Sequence, residues 1–378
     1  MSSFCSYFNR LECRSCSWIK LAYSDQLKRK EQRVFEILKF FPAFLLEKTV
    51  ESQQIGFRNR AKMVVSGTLE NPIIGLIDQE LLTCPIHHSR LNDLMGAMPD
   101  FIRRANLTPY QISERRGELK GLIAYYSPLS RQMYLRFILR SQDGVARIRK
   151  HLAALQGEFS DLFCITANIQ PIPHAILEGP DEIILTPEHA IDHLMGELSL
   201  KLAPQAFVQT NFEVASALYQ TAAKWICEAG TEKFLELYCG QGAFSFMTAS
   251  SVKHLLGIDI NKEAVKTAQN TAQTLGFAHL QFKQMDAAQI GDEIESFKPD
   301  LVLVNPPRRG LGESATFIVK YLPRNFVYSS CSIETLAEDL KKMAQTYHLK
   351  RAQIFDMFPH TEHFEILVWL ERKEKCGV

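Results

Sequence analysis

The final third of this 378-residue chain leaves few folds open. After about residue 205, continuous apolar runs alternate with amphipathic helical segments. The runs fall at 234–237, 254–260, 280–282, 301–304, 326–328 and 366–370. Strands that are apolar on both faces must be covered on both, and strands separated by helices run parallel. The pattern predicts an α/β, doubly wound domain with a ligand crevice at the carboxyl edge of its sheet. The region from about 55 to 185 has a different texture. Strand-like stretches at 61–66, 133–139 and 183–185, turns at Asn71-Pro72 and Gly179-Pro180, and a helical insertion at 91–105 predict an antiparallel α+β domain. Leu27, Val34, Leu38 and Phe41 place a helix over 25–40.

Charge divides the chain the same way. The net charge is only +1, yet residues 51–150 carry 15 Lys and Arg against 9 Asp and Glu, while residues 201–300 carry 8 against 11. A basic half beside a mildly acidic one fits a polyanion-binding domain joined to a small-molecule domain. Arg58, Arg60 and Lys62 are the expected phosphate contacts. No run approaches the roughly 20 apolar residues that span a bilayer. The first 20 residues are polar and lack the apolar core of a signal peptide, so a cytoplasmic protein without membrane contact is expected. Nine cysteines in such a chain read as reduced thiols, not a disulfide framework.

Four strand ends carry chemistry. The first runs into Tyr238-Cys239-Gly240-Gln241-Gly242, where glycines let the backbone approach a ligand beside a helix N-terminus. The next ends at Asp259, where a carboxylate binds ribose hydroxyls in such folds; this spacing does not separate a dinucleotide from S-adenosylmethionine. A third delivers Asn305-Pro306-Pro307-Arg308-Arg309-Gly310, holding a side-chain amide in the same crevice. A fourth ends at Ser329-Ser330-Cys331-Ser332, placing a thiol at that edge beside Arg308 or Arg309. Near the C-terminus, 358–365 (FPHTEHFE) brings two carboxylates and two imidazoles toward the thiol. Glu365, which begins the last strand, is placed to be a partly buried base. At the other end, Cys5, Cys13, Cys16 and Cys84 supply four thiolates that suit zinc or an iron–sulfur cluster, and spacing does not choose.

Together LYCGQGAF, GID, NPPRRG, YSSCS, FPHTEHFE and, earlier, GFRNRAKMVVSG stand in the order of one family. The sequence resembles the RNA uracil-5-methyltransferases, and most closely the branch acting on 23S ribosomal RNA, over essentially its whole length. The resemblance implies a Rossmann-like S-adenosylmethionine methyltransferase domain from residues 19–50 and 207–378, with 19–50 a helical segment packing on it. It implies a central RNA-binding domain from 1–18 and 51–206 that carries a [4Fe–4S] cluster on Cys5, Cys13, Cys16 and Cys84. The nucleophile falls on Cys331, the proton acceptor on Glu365, and the cofactor contacts on Gln209, Tyr238, Asp259 and Asn305. Asp259 replaces a more common Glu, which still leaves a carboxylate. The implied reaction is methylation of carbon 5 of a 23S uridine, at position 747, through a covalent cysteine–uracil adduct, by a monomer. Another rRNA or tRNA uridine, an amine methyltransferase, and a non-catalytic iron–sulfur RNA-binding protein are the alternatives. The second is disfavoured because Arg308, not an aromatic residue, follows the two prolines.

Overall fold

The computed structural model describes residues 3–77, 79–172, 177–196 and 198–374. The chain divides into two compact units, one of residues 1–16, 53–205 and 209–212, the other of 17–52, 206–208 and 213–378.

The second unit is built on an eight-stranded sheet. Its order is Leu45–Leu46, Tyr347–Phe355, Glu365–Arg372, Asn325–Ser330, Leu301–Val304, Lys233–Leu237, His254–Asp259, Leu280–Gln284. The five strands from Lys233 to Ser330 are parallel. The chain winds outward from Lys233–Leu237 to one edge, then returns and winds outward the other way. The order therefore reverses between Lys233–Leu237 and Leu301–Val304, which opens a crevice at their carboxyl ends.

The wholly parallel sheet expected from the apolar runs is corrected here. Glu365–Arg372 is antiparallel to both its neighbours. The preceding strand, Tyr347–Phe355, was hidden by its Lys, Arg and Gln. It connects to Glu365 through only the nine residues 356–364. A parallel connection needs a crossover of about a dozen residues or more, so this short one forces a hairpin.

Both faces are covered. Ile366, Val368 and Leu370 join Val34, Leu38, Leu336 and Leu340 in one buried cluster. Those last four come from helices Tyr23–Leu38 and Ile333–Met343, which pack on each other. On the opposite face of the same strand, Trp369 lies 6.2 Å from Trp225, ring to ring, and both are buried. Burying one such aromatic contributes roughly 2–3 kcal/mol.

The first unit holds a seven-stranded sheet: Gln79–Glu80, Pro72–Leu76, Arg60–Gly67, Leu119–Ser127, Gln132–Leu139, Leu162–Ile169, Asp181–Ile184. It is antiparallel except where Gln132–Leu139 meets Leu162–Ile169. There helix Val145–Glu158 provides a crossover, which the alternating pattern did not reveal. The expected insertion is helix Ser89–Arg104. Among the described residues no helix is long and apolar enough to cross a membrane.

Candidate active site at the carboxyl edge of the sheet

Strand Lys233–Leu237 ends in a turn that the chain takes by going left-handed. Tyr238 has φ +60°, unusual for a residue with a side chain, and Gly242 has φ +84° as it opens the next helix. A Cβ on Gly242 would sit 3.0 Å from the Phe246 ring, so the turn needs glycine twice over. Asp259 holds this turn. One oxygen accepts the Gly240 N–H at 2.8 Å and the other accepts the Asn261 N–H at 2.8 Å. A carboxylate has about four acceptor positions, so Asp259 keeps capacity for hydroxyl donors. Beneath it lies Glu236, buried and hydrogen-bonded by the Ser245 hydroxyl; burial pushes its carboxyl up to about 8.

Asn305 follows strand Leu301–Val304, and its N–H reaches the Leu237 carbonyl at 3.5 Å, bringing it beside Tyr238. The Tyr238 hydroxyl is 2.9 Å from that of Ser314. The arginine-bearing loop after Asn305 is anchored by a residue outside every sequence motif. Asp339, buried on helix Ile333–Met343, accepts the Leu311 N–H at 2.8 Å and the Tyr328 hydroxyl at 3.0 Å. Gly310, with φ +80°, lies against it so closely that a Cβ would stand 2.6 Å from the carboxylate. The sequence offered one clue: an acid among the apolar positions Leu336, Leu340 and Met343 of one helical face.

Cys331 ends strand Asn325–Ser330 and lies one residue before Ser332, whose side chain caps helix Ile333–Met343. It opens into a pocket with three walls: Arg308 from the proline loop, Ser332 to Glu334 from the helix start, and Glu362 to Phe364 from the hairpin loop. Arg33, from helix Tyr23–Leu38, completes the rim. Two effects hold the thiol proton on, burial first and then the negative charge of Glu365; the neighbouring Arg308 guanidinium opposes them. Glu365 is buried at the start of the last strand. Among the described residues, Cys239 and Cys164 sit in a different setting. Cys239 is buried beside Glu236 and Asp259 and pushed well up, and buried Cys164 is pushed up to about 12. Cys376 lies outside the described residues.

Tyr238, Asp259, Asn305, Cys331 and Glu365 thus share one edge of one sheet. Gln209 is buried and belongs to the first unit. The four cysteines expected at a cluster also belong to that unit, and they are gathered: Cys16 is pushed up to about 12 by burial and then by Cys84, Cys13 and Cys5. Yet among the described residues no group of three or more His, Cys, Asp and Glu is arranged to hold a metal ion, so the expected [4Fe–4S] sphere is not formed by these side chains as they stand. The three cations expected on phosphate have neighbours within their own unit. Lys62 and Arg60 face Glu178 at 3.1 and 4.0 Å, and Arg58 lies against Cys84 and Cys16.

An order-reversing sheet whose last strand runs backwards is the frame of the Rossmann-like methyltransferases, here with a thiol at its working edge. The sequence model of the family described as tRNA (Uracil-5-)-methyltransferase matches residues 192–373. The 23S rRNA (uracil(747)-C(5))-methyltransferase RlmC of Proteus mirabilis is 41% identical over 372 residues, 97% of this chain and 98% of that protein. The protein of that name from Pectobacterium atrosepticum is 40% identical over 97% of this chain and 99% of its own length. The crystal structure of Pyrococcus abyssi tRNA (uracil-54, C5)-methyltransferase in complex with S-adenosyl-L-homocysteine superposes with a TM-score of 0.77 at 21% identity. It covers 94% of this chain and 85% of that one, and so shares the fold. The chain belongs to the uracil-5-methyltransferase family, and it is a methyltransferase.

Proposed function

We propose that this protein methylates carbon 5 of a uridine in 23S ribosomal RNA, the uridine-747 position for which its relatives are named, with Cys331 as nucleophile and Glu365 as proton acceptor. The observation that carries the reading is the pocket itself. One thiol opens into it, a guanidinium lines it beside that thiol, and a buried carboxylate stands close enough to be felt by it.

Carbon 5 of uracil is a weak nucleophile. Addition of the Cys331 thiolate to carbon 6 forms a C–S bond and moves the ring electrons to an enolate, which makes carbon 5 nucleophilic. S-adenosylmethionine supplies an electrophilic methyl group, and Tyr238, Asp259 and Asn305 are the proposed residues that hold it. Glu365 then accepts the carbon-5 proton, the ring electrons return, and the C–S bond breaks to release thiolate. Arg308 has two uses in this scheme: it favours the thiolate before addition and again as the leaving group. A stacked base cannot be approached this way, so the uridine is taken flipped or from a loop.

We further infer that Cys5, Cys13, Cys16 and Cys84 ligate a [4Fe–4S] cluster. Support comes from their mutual electrostatic proximity and from Arg58, whose positive charge faces Cys84 and Cys16. A cationic neighbour suits an assembly of four thiolates, and the cluster's contribution there would be structural.

Replacing Cys331 by Ala tests the central assignment. Formation of 5-methyluridine in a 23S fragment, measured by mass spectrometry, should fall at least ~10³-fold while S-adenosylmethionine binding persists. Turnover within tenfold of the parent would overturn the nucleophile assignment.

A further inference from the structure

Helix Tyr23–Leu38 turns one polar stripe toward the loop that leads into Glu365. Tyr23, Gln26, Lys30 and Arg33 recur at spacings of three and four, which places them on one face. Each holds the loop 356–364. The Tyr23 hydroxyl donates to Asp356 at 2.7 Å. Lys30 donates to the other Asp356 oxygen at 2.5 Å and approaches the Phe358 carbonyl at 3.4 Å. The Gln26 side-chain oxygen accepts the His360 N–H at 2.8 Å, and its amide nitrogen lies 3.4 Å from the His360 ring. Arg33 reaches Glu362 at 3.7 Å and also pairs with Glu334, just beyond Cys331.

The grip begins beside the base. Phe355 is the register partner of Glu365 across the hairpin, so Asp356 is the first residue past that pair. The Lys30 and Asp356 side chains are wholly buried. A buried ion pair contributes little to stability compared with apolar residues of the same size, because desolvation offsets the attraction. What it does provide is a single geometry. A hairpin could be closed by two to five residues, and this one spends nine on a loop with no helix or strand of its own. His360 is held within it at φ +65°, a conformation that needs its surroundings to sustain it.

We propose that helix Tyr23–Leu38 is a clamp that sets Glu365 for proton abstraction, with Lys30 as its principal positioning residue and Gln26 as its second. The proposal rests on the assignment of Glu365 as the base. It bears chiefly on the second half of the reaction. Cys331 and Arg308, which carry thiol addition, stand on other elements and feel Glu365 only through its charge, whereas release of the product depends on where the Glu365 carboxylate sits.

The test uses the full-length protein, a 23S hairpin fragment and S-adenosylmethionine. Lys30→Met and Gln26→Leu should each lower kcat, by at least about tenfold for the first, with RNA affinity unchanged within twofold. Both should accumulate a denaturant-stable RNA–protein adduct, as Glu365→Gln does in parallel. If Lys30→Met fails to fold by circular dichroism, Gln26→Leu decides. Parental turnover without adduct overturns the clamp and leaves the base assignment standing, and so does slow turnover without adduct, the mark of a merely structural helix. Absence of adduct in Glu365→Gln itself overturns the base assignment, and the clamp with it.

Discussion

The two halves of the working edge are held by bonds of very different reach. On the glycine-turn side, Asp259 takes the N–H of Gly240, 19 residues away, and of Asn261, two residues away. On the thiol side, the bonds that fix the loop before Glu365 join residues 326 to 334 positions apart. The first half is a local motif that any chain of the right spacing forms once its strands are laid down. The second exists only after the N-terminal segment has folded back onto the last hairpin. One half can be read in a sequence window, and the other can be read only in the fold.

That contrast can be broken at specific residues. Among residues that shape the two halves without reacting, the largest effect should come from the local half. Asp259→Ala removes the bonds that shape the turn and the proposed ribose contact together, raising the cofactor KM by ~10–100-fold with a smaller change in kcat. A fall in kcat alone would show that the carboxylate does not bind the cofactor. On the thiol side, Arg308→Gln removes the largest influence that lowers the Cys331 proton affinity against burial and Glu365. The thiol then holds its proton to still higher pH. The acid limb of kcat/KM should move upward, with a loss of about tenfold at neutral pH that shrinks as pH rises. A loss constant with pH would assign Arg308 to binding.

The smallest effect concerns stability. Buried Glu236 is raised from 4.5 to about 8, so between those values the folded chain holds a proton that the unfolded chain has released. Its contribution is fully present below about 4.5 and is lost as pH rises through about 8. In Glu236→Gln that loss is gone. Between pH 6 and 9 the thermal midpoint of the parent should drop by a few degrees more than the variant's. Parallel curves would mean that Glu236 is already ionised in the folded state.

The sequence was most informative where periodicity and turn chemistry act locally. The parallel strands from Lys233 to Ser330, the left-handed glycine turn and the strand-end position of Cys331 all follow from apolar runs and from glycine and proline. The reversed last strand did not, because Tyr347–Phe355 carries charged residues on a sheet flank and was not read as a strand. Asp339 and Lys30 were missed for a related reason. Each is a charged residue at a buried helical position, and only its distant partner explains why burial is tolerated there. Arg58, Arg60 and Lys62, expected on phosphate, have Glu178 and the cysteine group as neighbours in the fold, which their own sequence window does not show.

The central claim is that Cys331 adds to the uracil before Glu365 removes its proton. Glu365→Gln, incubated with S-adenosylmethionine and a 23S hairpin fragment, isolates that order. The account predicts an RNA–protein species that survives denaturing electrophoresis, carries the transferred methyl group, and maps by peptide mass spectrometry to Cys331. A fully active variant with no such species, or an adduct on any other residue, would contradict it.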